Sequence, residues 1–218
     1  MLPDDSAAII GSPGRLFRIN IIATVLDLVA EAWKSVRKRS DIDNSSNEDT
    51  IAGALYQELW EEWKKRGMDG PPRIENEVAS RSSRSRLLPE GFIDFRFVYH
   101  WGEQDFFGME CKKVSSTGRT GKYLAEEYVN EGVMRFVTGK YCSGHDVAAM
   151  LGFVVDSNIA GSVGLVQSVL FNKQYVAKQS GQWNISKLFG NHSNLYETTH
   201  QQYGQAFHMT ILHLFQEL

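Results

Sequence analysis

The sequence predicts a mixed α/β fold, an α+β arrangement in which helices pack on a central mixed sheet. Segments 91–100 and 106–114 are rich in aromatic and β-branched residues, which is typical of strands. Segments 48–66 and 122–138 place apolar residues three and four positions apart, which is typical of amphipathic helices. Segment 148–156 is a continuous apolar run, as expected of a strand buried on both faces.

Bulk composition excludes several classes of protein. A length of 218 residues fits one domain. The net charge of −3 is too negative for a protein that coats nucleic acid, so only local basic patches could bind it. Its two cysteines, Cys111 and Cys142, indicate reduced thiols rather than a disulfide framework. The acidic start lacks the basic region of a secretory signal. The apolar run 16–30 is too short to cross a membrane and contains Arg18 and Asp27. We therefore expect a cytoplasmic protein without a membrane span.

The N-terminal region, residues 1–47, is expected to contain an amphipathic helix and a linker. Apolar residues recur at helical spacing across 15–38, and the polar stretch 40–47 is typical of a loop. The helix is expected to cap the core, with docking on a partner subunit as the alternative. The main domain is then 48–218, with its core at 48–156.

A helix, a strand and a basic loop come next in the chain. The helix 48–66 has Asn47 as its expected N-cap, and segment 72–79 is expected to be the first strand. Segment 80–86 has three basic residues and no acid, so it is too polar for the core. Its basic residues are Arg81, Arg84 and Arg86. This loop is either simply solvated or a clamp for nucleic-acid phosphates.

The two aromatic strands are expected to form a hairpin around the loop 101–105. The period of two along a strand places Glu110 and Lys112 on the same face. With a loop of this length, the partner of Glu110 is expected near Phe97. Asp94 would then need a strand twist or a bulge to approach Glu110, as is common beside active sites.

The residues at this strand end suit phosphodiester chemistry. The carboxylates of Asp94 and Glu110, together with the main-chain carbonyl of Cys111, are oxygen ligands suited to Mg²⁺ or Mn²⁺. Such an ion polarises a phosphoryl group and lowers the pKa of a bound water. Lys112 is expected to orient that water or to stabilise the negative charge of the transition state. The alternative is a pair of edge strands that carry solvated charges.

The pattern Asp94, then Glu110-x-Lys112, resembles the signature of the PD-(D/E)xK nucleases, the restriction-endonuclease-like superfamily. Ile93 stands where that signature usually has proline, a position without a chemical role. The resemblance implies an αβββαβ core over 48–156. The predicted N-terminal helix and C-terminal β-hairpin extend this core. The resemblance also implies Mg²⁺-dependent (or Mn²⁺-dependent) cleavage of DNA.

Glu48 is our first choice for a third acidic ligand. It lies within about 20° of the centre of the apolar stripe of its helix, counted at 100° per residue. Glu48, Ile51 and Leu55 resemble the opening of the first helix in archaeal junction resolvases, where a glutamate is followed by apolar residues three and seven positions later. Glu58 and Glu77 are the alternatives. A glutamate stabilised by the helix dipole is the simpler interpretation of Glu48.

A basic patch without acidic residues spans 112–122 and leads into the third helix. Its members are Lys112, Lys113, Arg119 and Lys122. Lys113, Arg119 and Lys122 are expected to contact the nucleic-acid backbone, with solvated surface charge as the alternative. Segment 128–141 resembles a helix of uncharacterised PD-(D/E)xK proteins, some of them associated with phage defence. Within the predicted helix 122–138, the residues Lys122, Glu126 and Arg135 either face the site or are surface charges.

The C-terminal part is expected to add a helix and a hairpin. The helix covers 159–175, and segment 182–194 is a loop. Strands are expected over 195–201 and 205–215, with Gly204 in the turn between them. Such a hairpin extends the sheet or covers one of its edges.

The histidines do not indicate a metal centre. His208 and His213 are separated by an odd number of positions on one strand, so they face opposite sides and do not share a metal. His200 is expected to be structural, with an auxiliary role near a phosphate as the alternative.

Two functions follow as hypotheses. The first is a Mg²⁺-dependent nuclease acting on DNA, with RNA not excluded, in which Asp94, Glu110 and Glu48 hold the ion and Lys112 acts on water. Because the chain has no obvious target-recognition, helicase or ATPase segment, it is expected to form a homodimer or to be the cleaving subunit of a phage-defence or restriction complex. The second is a catalytically inactive nuclease-fold module that binds nucleic acid or assembles a complex. The intact Asp/Glu/Lys set favours the enzyme.

Overall fold

A seven-stranded mixed sheet forms the centre of the molecule. The computed structural model describes residues 9–10, 17–67, 72–80, 91–98, 106–186, 189, 192–206 and 208–218. A separate two-stranded ribbon pairs β1 (Ile9–Ile10) with β2 (Phe17–Arg18). The strands of the large sheet are β3 (Arg73–Ser80), β4 (Gly91–Val98), β5 (Phe106–Val114), β6 (Val147–Val154), β7 (Asn184–Ile185), β8 (Leu195–Gln201) and β9 (His208–Glu217).

The strand order of the large sheet is β3-β4-β5-β6-β9-β8-β7. β6 runs parallel to both β5 and β9, and the other neighbours are antiparallel. The mixed α/β class predicted from the sequence is therefore confirmed. The C-terminal hairpin extends the sheet, because β9 pairs directly with β6.

Helices cover both faces of this sheet. They are α1 (Ile19–Val36), α2 (Glu48–Lys65), α3 (Gly118–Glu127), α4 (Met134–Val137) and α5 (Ile159–Asn172), with a π-helical turn at Tyr128–Val133 between α3 and α4. Asn47 caps α2 as expected, because its side-chain oxygen accepts the Thr50 N–H at 2.8 Å. The predicted helix 122–138 begins four residues earlier, at Gly118.

Two apolar clusters lie on opposite faces of β6. All eight residues of β6 are buried, and they alternate between the clusters: Ala149 and Leu151 pack on one side, Ala148 and Met150 on the other. The first cluster contains the buried faces of α1 and α2, so the N-terminal helix packs on the core. The second contains residues of the helical segment 118–137, of α5 and of β9. Burial on both faces explains why β6 reads as an uninterrupted apolar run.

The pairing of β4 with β5 differs from the sequence prediction. The register runs from Val98↔Phe106 to Phe95↔Met109 and there ends. Continued by one position, it sets Asp94 opposite Glu110, so the expectation of a partner near Phe97 was wrong. The connection between the paired residues is longer than the loop 101–105, and the paired residues of β4 and β5 show no register-shifting bulge.

Two further details concern the rest of the chain. The predicted loop 182–194 contains the short edge strand β7, which pairs with β8. Gly204 lies in the turn before β9 with φ +73°, as its predicted position required. Within the part of the chain that the structure describes, no helix combines the length and the apolar character needed to cross a lipid bilayer.

Candidate active site where two strands separate

A cleft of about 520 Å³ opens where β4 and β5 stop pairing. All four side chains predicted to be catalytic line it, although they come from three different elements. They are Glu48 of α2, Asp94 of β4, and Glu110 and Lys112 of β5. Other lining residues are Asn76, Glu77, Phe92, Arg135 and Tyr141. The fold therefore brings the predicted acids and the lysine together.

Asp94 takes over the role of a backbone acceptor at the point of separation. Its Oδ2 accepts the Cys111 N–H at 2.6 Å. Cys111 is one residue beyond Glu110, which the continued register would set opposite Asp94. Burial raises the pKa of Asp94 to about 6, although the Cys111 N–H and the Lys112 ammonium oppose the shift. Glu77, opposite Asp94 in the register with β3, has φ +50°. The regular strand pairing is thus interrupted on both sides of Asp94.

Glu110 is the most deeply buried acid of the cleft, with 1% of its surface exposed. Its Oε1 accepts from Lys112 Nζ at 3.3 Å and from Arg135 Nη1 at 3.1 Å. Its Oε2 is buried and has no hydrogen-bond partner among the described residues. Burial and the neighbouring Asp94 raise the pKa of Glu110 to about 8, against the two cations. In the ionised form of Glu110 this oxygen is a buried acceptor without a donor, which is costly and favours a cation as its missing partner.

Lys112 is bonded within the cleft rather than to solvent. Its ammonium donates to Glu48 Oε1 at 2.6 Å and to the Cys111 carbonyl at 2.8 Å. Burial lowers the pKa of Lys112, but the Glu110 and Glu48 carboxylates outweigh burial and hold the pKa above its ordinary value. The Cys111 side chain packs in the cluster under α1 and α2, so the predicted alternation of faces along β5 is confirmed.

Glu48 links the start of α2 to β5. Its Oε1 binds Lys112, and its Oε2 accepts the Lys113 N–H at 3.0 Å. Of the two alternatives to Glu48, Glu77 lines the cleft. Glu58 does not line it and instead pairs with Arg39 at 3.2 Å.

The donor set fits a hard divalent cation through two carboxylates. Mg²⁺ commonly uses one or two carboxylates and keeps several waters. The carboxylates of Asp94 and Glu110 supply that number, and the unpartnered Glu110 Oε2 supports the fit. Glu48 and the Cys111 carbonyl are instead held by Lys112. No group of three or more His, Cys, Asp or Glu side chains is arranged as a metal site in the described portion of the chain.

The residues expected to bind nucleic acid differ in their surroundings. Arg81, Arg84 and Arg86 lie outside the described residues. The Lys113 ammonium donates to the main-chain carbonyls of Asn44 and Ser46, at 3.1 and 2.7 Å, so it fastens the loop before α2. Arg119 and Lys122 are exposed on α3. Their exposure leaves them available to a ligand.

Arg135 and Tyr141 complete the cleft. Of the three residues expected to face the site from the third helix, Arg135 lines the cleft, whereas Lys122 and Glu126 do not. Sequence reasoning gave no role to Tyr141, whose hydroxyl donates to the Phe92 carbonyl at 2.7 Å. Tyr141 follows the end of α4, so no helical periodicity could place it.

Searches of family models, of curated proteins and of solved structures find no match for this chain. The residues of the cleft are therefore the basis for a functional proposal.

Proposed function

We propose that this protein is a metal-dependent nuclease that hydrolyses phosphodiester bonds of DNA, with a restriction-endonuclease-like core of the PD-(D/E)xK type. One observation carries the proposal: Asp94, Glu110 and Lys112 line a single cleft where β4 and β5 separate. Two carboxylates beside one ammonium are a combination suited to phosphodiester hydrolysis. The order of elements from α2 to β6 (helix, three strands, helix, strand) also agrees with the αβββαβ core.

Each side chain has a role in this proposal. Asp94 and Glu110 hold Mg²⁺ or Mn²⁺, which when bound polarises the phosphoryl group and acidifies water. Lys112 donates to the attacking water or to the developing negative charge. Glu48 sets the direction of the Lys112 ammonium through the contact of 2.6 Å. Arg135 favours the ionised form of Glu110, because it donates to Oε1.

The proposed substrate is DNA, approached over the exposed Arg119 and Lys122 of α3. We propose that the chain acts as a homodimer or as the cleaving subunit of a phage-defence or restriction complex. RNA is the alternative substrate, and the cleavage assay described next distinguishes it from DNA.

The proposal is tested by incubating the protein with plasmid DNA, linear DNA and RNA, with Mg²⁺, Mn²⁺ or EDTA. We expect metal-dependent cleavage of DNA, and we expect Lys112→Ala to lose it by roughly 10²–10³-fold, the usual effect of removing a charge-stabilising donor. Lys34→Ala is the matched control, since Lys34 is an exposed lysine of α1 paired only with Glu31 in the described structure. Equal cleavage by the wild-type and Lys112→Ala proteins would contradict the assignment.

The second candidate is an inactive nuclease-fold module that binds nucleic acid or assembles a complex. The contacts of Lys112 with Glu48 and the Cys111 carbonyl favour it, because they make Lys112 a tether between α2 and β5. It predicts DNA binding in a mobility-shift assay with no cleavage under any metal condition.

A further inference from the structure

A chain of three hydrogen bonds joins β4 to Glu110 beyond the point where the strand backbones stop pairing. The Tyr141 hydroxyl donates to the carbonyl of Phe92 in β4 at 2.7 Å. The same hydroxyl oxygen accepts from Arg135 Nη1 at 2.7 Å. Arg135 Nη1 also donates to Glu110 Oε1 in β5 at 3.1 Å. We call Arg135 and Tyr141, with these three bonds, the strand strap.

Further contacts hold the two residues of the strand strap in place. The Tyr141 N–H donates to the Arg135 carbonyl at 2.9 Å, across a turn in which Gly139 has φ +76°. Arg135 Nη2 donates to Glu131 Oε2 at 2.9 Å, which fixes the second edge of the guanidinium. Tyr141 is fully buried, and the Arg135 guanidinium carbon lies 5.3 Å from the centre of its ring. The two side chains therefore act as one unit.

Gly91, the first residue of β4, leaves the space that the strand strap occupies. A Cβ atom at this position would lie 2.8 Å from the Tyr141 hydroxyl oxygen and 2.9 Å from Lys140 Cε. An alanine here would displace the Tyr141 hydroxyl. Gly91→Ala therefore offers a way to disturb the strand strap without altering either of its residues.

We propose that Arg135 and Tyr141 are positioning residues that set the separation of the Asp94 and Glu110 carboxylates for a divalent cation. This inference rests on the metal site of the proposed function. The last backbone pair is Phe95↔Met109. Beyond it, the Cys111 N–H holds Asp94, and the strand strap holds Glu110 to the segment just before Asp94. Hydrogen-bond partners that orient metal ligands in this way typically contribute about 10- to 100-fold to metal affinity.

The test is a Mn²⁺ titration of the full chain without nucleic acid, read from the electron paramagnetic resonance signal of free Mn²⁺. Tyr141→Phe removes the hydroxyl and keeps the ring and Arg135. We expect it to weaken Mn²⁺ binding by about 10- to 100-fold, and we expect Gly91→Ala to weaken it in the same direction. Tyr203→Phe is the matched control, because the Tyr203 hydroxyl also donates to a main-chain carbonyl, that of Val176, at 2.8 Å.

The outcomes separate this inference from the proposed function. Weaker Mn²⁺ binding in Tyr141→Phe and Gly91→Ala, but not in Tyr203→Phe, supports the positioning role whether or not DNA is cleaved. Unchanged Mn²⁺ affinity in both strap variants overturns the positioning role and leaves the nuclease proposal intact. An equal loss in Tyr203→Phe also overturns it, since the loss would then be general. A wild-type protein that binds no Mn²⁺ overturns both.

Discussion

Glu110 shows how an environment sets the chemistry of one residue. It is buried beside Asp94, and its pKa is raised to about 8. Lys112 and Arg135 both donate to its Oε1, and its Oε2 has no partner among the described residues. The sequence predicted Glu110 as a ligand from its spacing to Lys112. It could not reveal which oxygen is satisfied, because that depends on Arg135, from a helix distant in the chain.

Asp146 is a buried acid outside the cleft that yields a stability prediction. It is 2% exposed, its carboxylate oxygens have no hydrogen-bond partner on another described residue, and burial raises its pKa from 3.8 to about 6 against its own main-chain N–H. A raised folded-state pKa means that the ionised carboxylate destabilises the fold. The resulting loss of stability is absent below pH 3.8 and complete above about pH 6.

We expect Asp146→Asn to stabilise the protein by roughly 1–2 kcal/mol at pH 7.5, because it removes a buried charge. The gain should shrink as the pH is lowered toward 4. Urea unfolding of the wild-type and variant proteins at pH 7.5 and pH 4.5 measures both effects. A variant less stable than wild type at pH 7.5, or a gain independent of pH, would contradict the explanation.

At the scale of elements, local patterns predicted strands and helices better than they predicted pairing. The apolar run of β6 and the Asn47 cap of α2 were both recognisable. The strand partner of Glu110 was predicted near Phe97, because the sequence pattern does not encode the length of the connection between β4 and β5. The strand β7 was not predicted, since an edge strand of two residues is too short to show the alternation of a strand.

A buried hydrogen-bond chain ties β8 and β9 to the helical layer. His200 Nδ1 contacts the Ala177 carbonyl at 2.8 Å, which only accepts, so Nδ1 carries the proton and Nε2 accepts from the Thr198 hydroxyl. Thr198 Oγ1 then accepts from His213 Nε2 at 2.7 Å, and His213 Nδ1 accepts from the Tyr128 hydroxyl at 3.0 Å. Both histidines are neutral, and burial lowers the pKa of each. His200 thus has the structural surroundings expected from the sequence.

Thr198→Val should break this chain in its middle. It leaves the His213 N–H and the His200 acceptor nitrogen unpaired in the interior, so we expect a loss of about 2–4 kcal/mol in the free energy of unfolding at pH 7.5. Thr138→Val is the matched control, because the Thr138 hydroxyl is exposed and donates to the carbonyl of Met134 in the preceding helix α4. Urea unfolding measures both variants. Similar losses of unfolding free energy in the two variants would show that the buried hydrogen bonds of Thr198 stabilise the protein no more than an exposed one does.

At the scale of the whole molecule, the cleft depends on contacts that no local pattern contains. Glu48 and Lys112 are 64 positions apart, and their side chains meet because α2 packs against the sheet at the end of β5. The insertion of β9 between β6 and β8 was equally beyond sequence reasoning, since pairing between distant strands has no local signal. The resemblance to a nuclease signature supplied the Asp94, Glu110 and Lys112 set, whereas Tyr141 appeared only in the folded chain.

The most direct test of the nuclease proposal is the rate of Mg²⁺-dependent plasmid cleavage by the wild-type, Asp94→Asn and Asp146→Asn proteins. Both variants exchange a carboxylate for an amide, but only Asp94 lines the cleft. We predict that Asp94→Asn cleaves at least about 100-fold more slowly, while Asp146→Asn retains the wild-type rate. Equal rates for wild type and Asp94→Asn, or no cleavage by any of the three, would contradict the proposal.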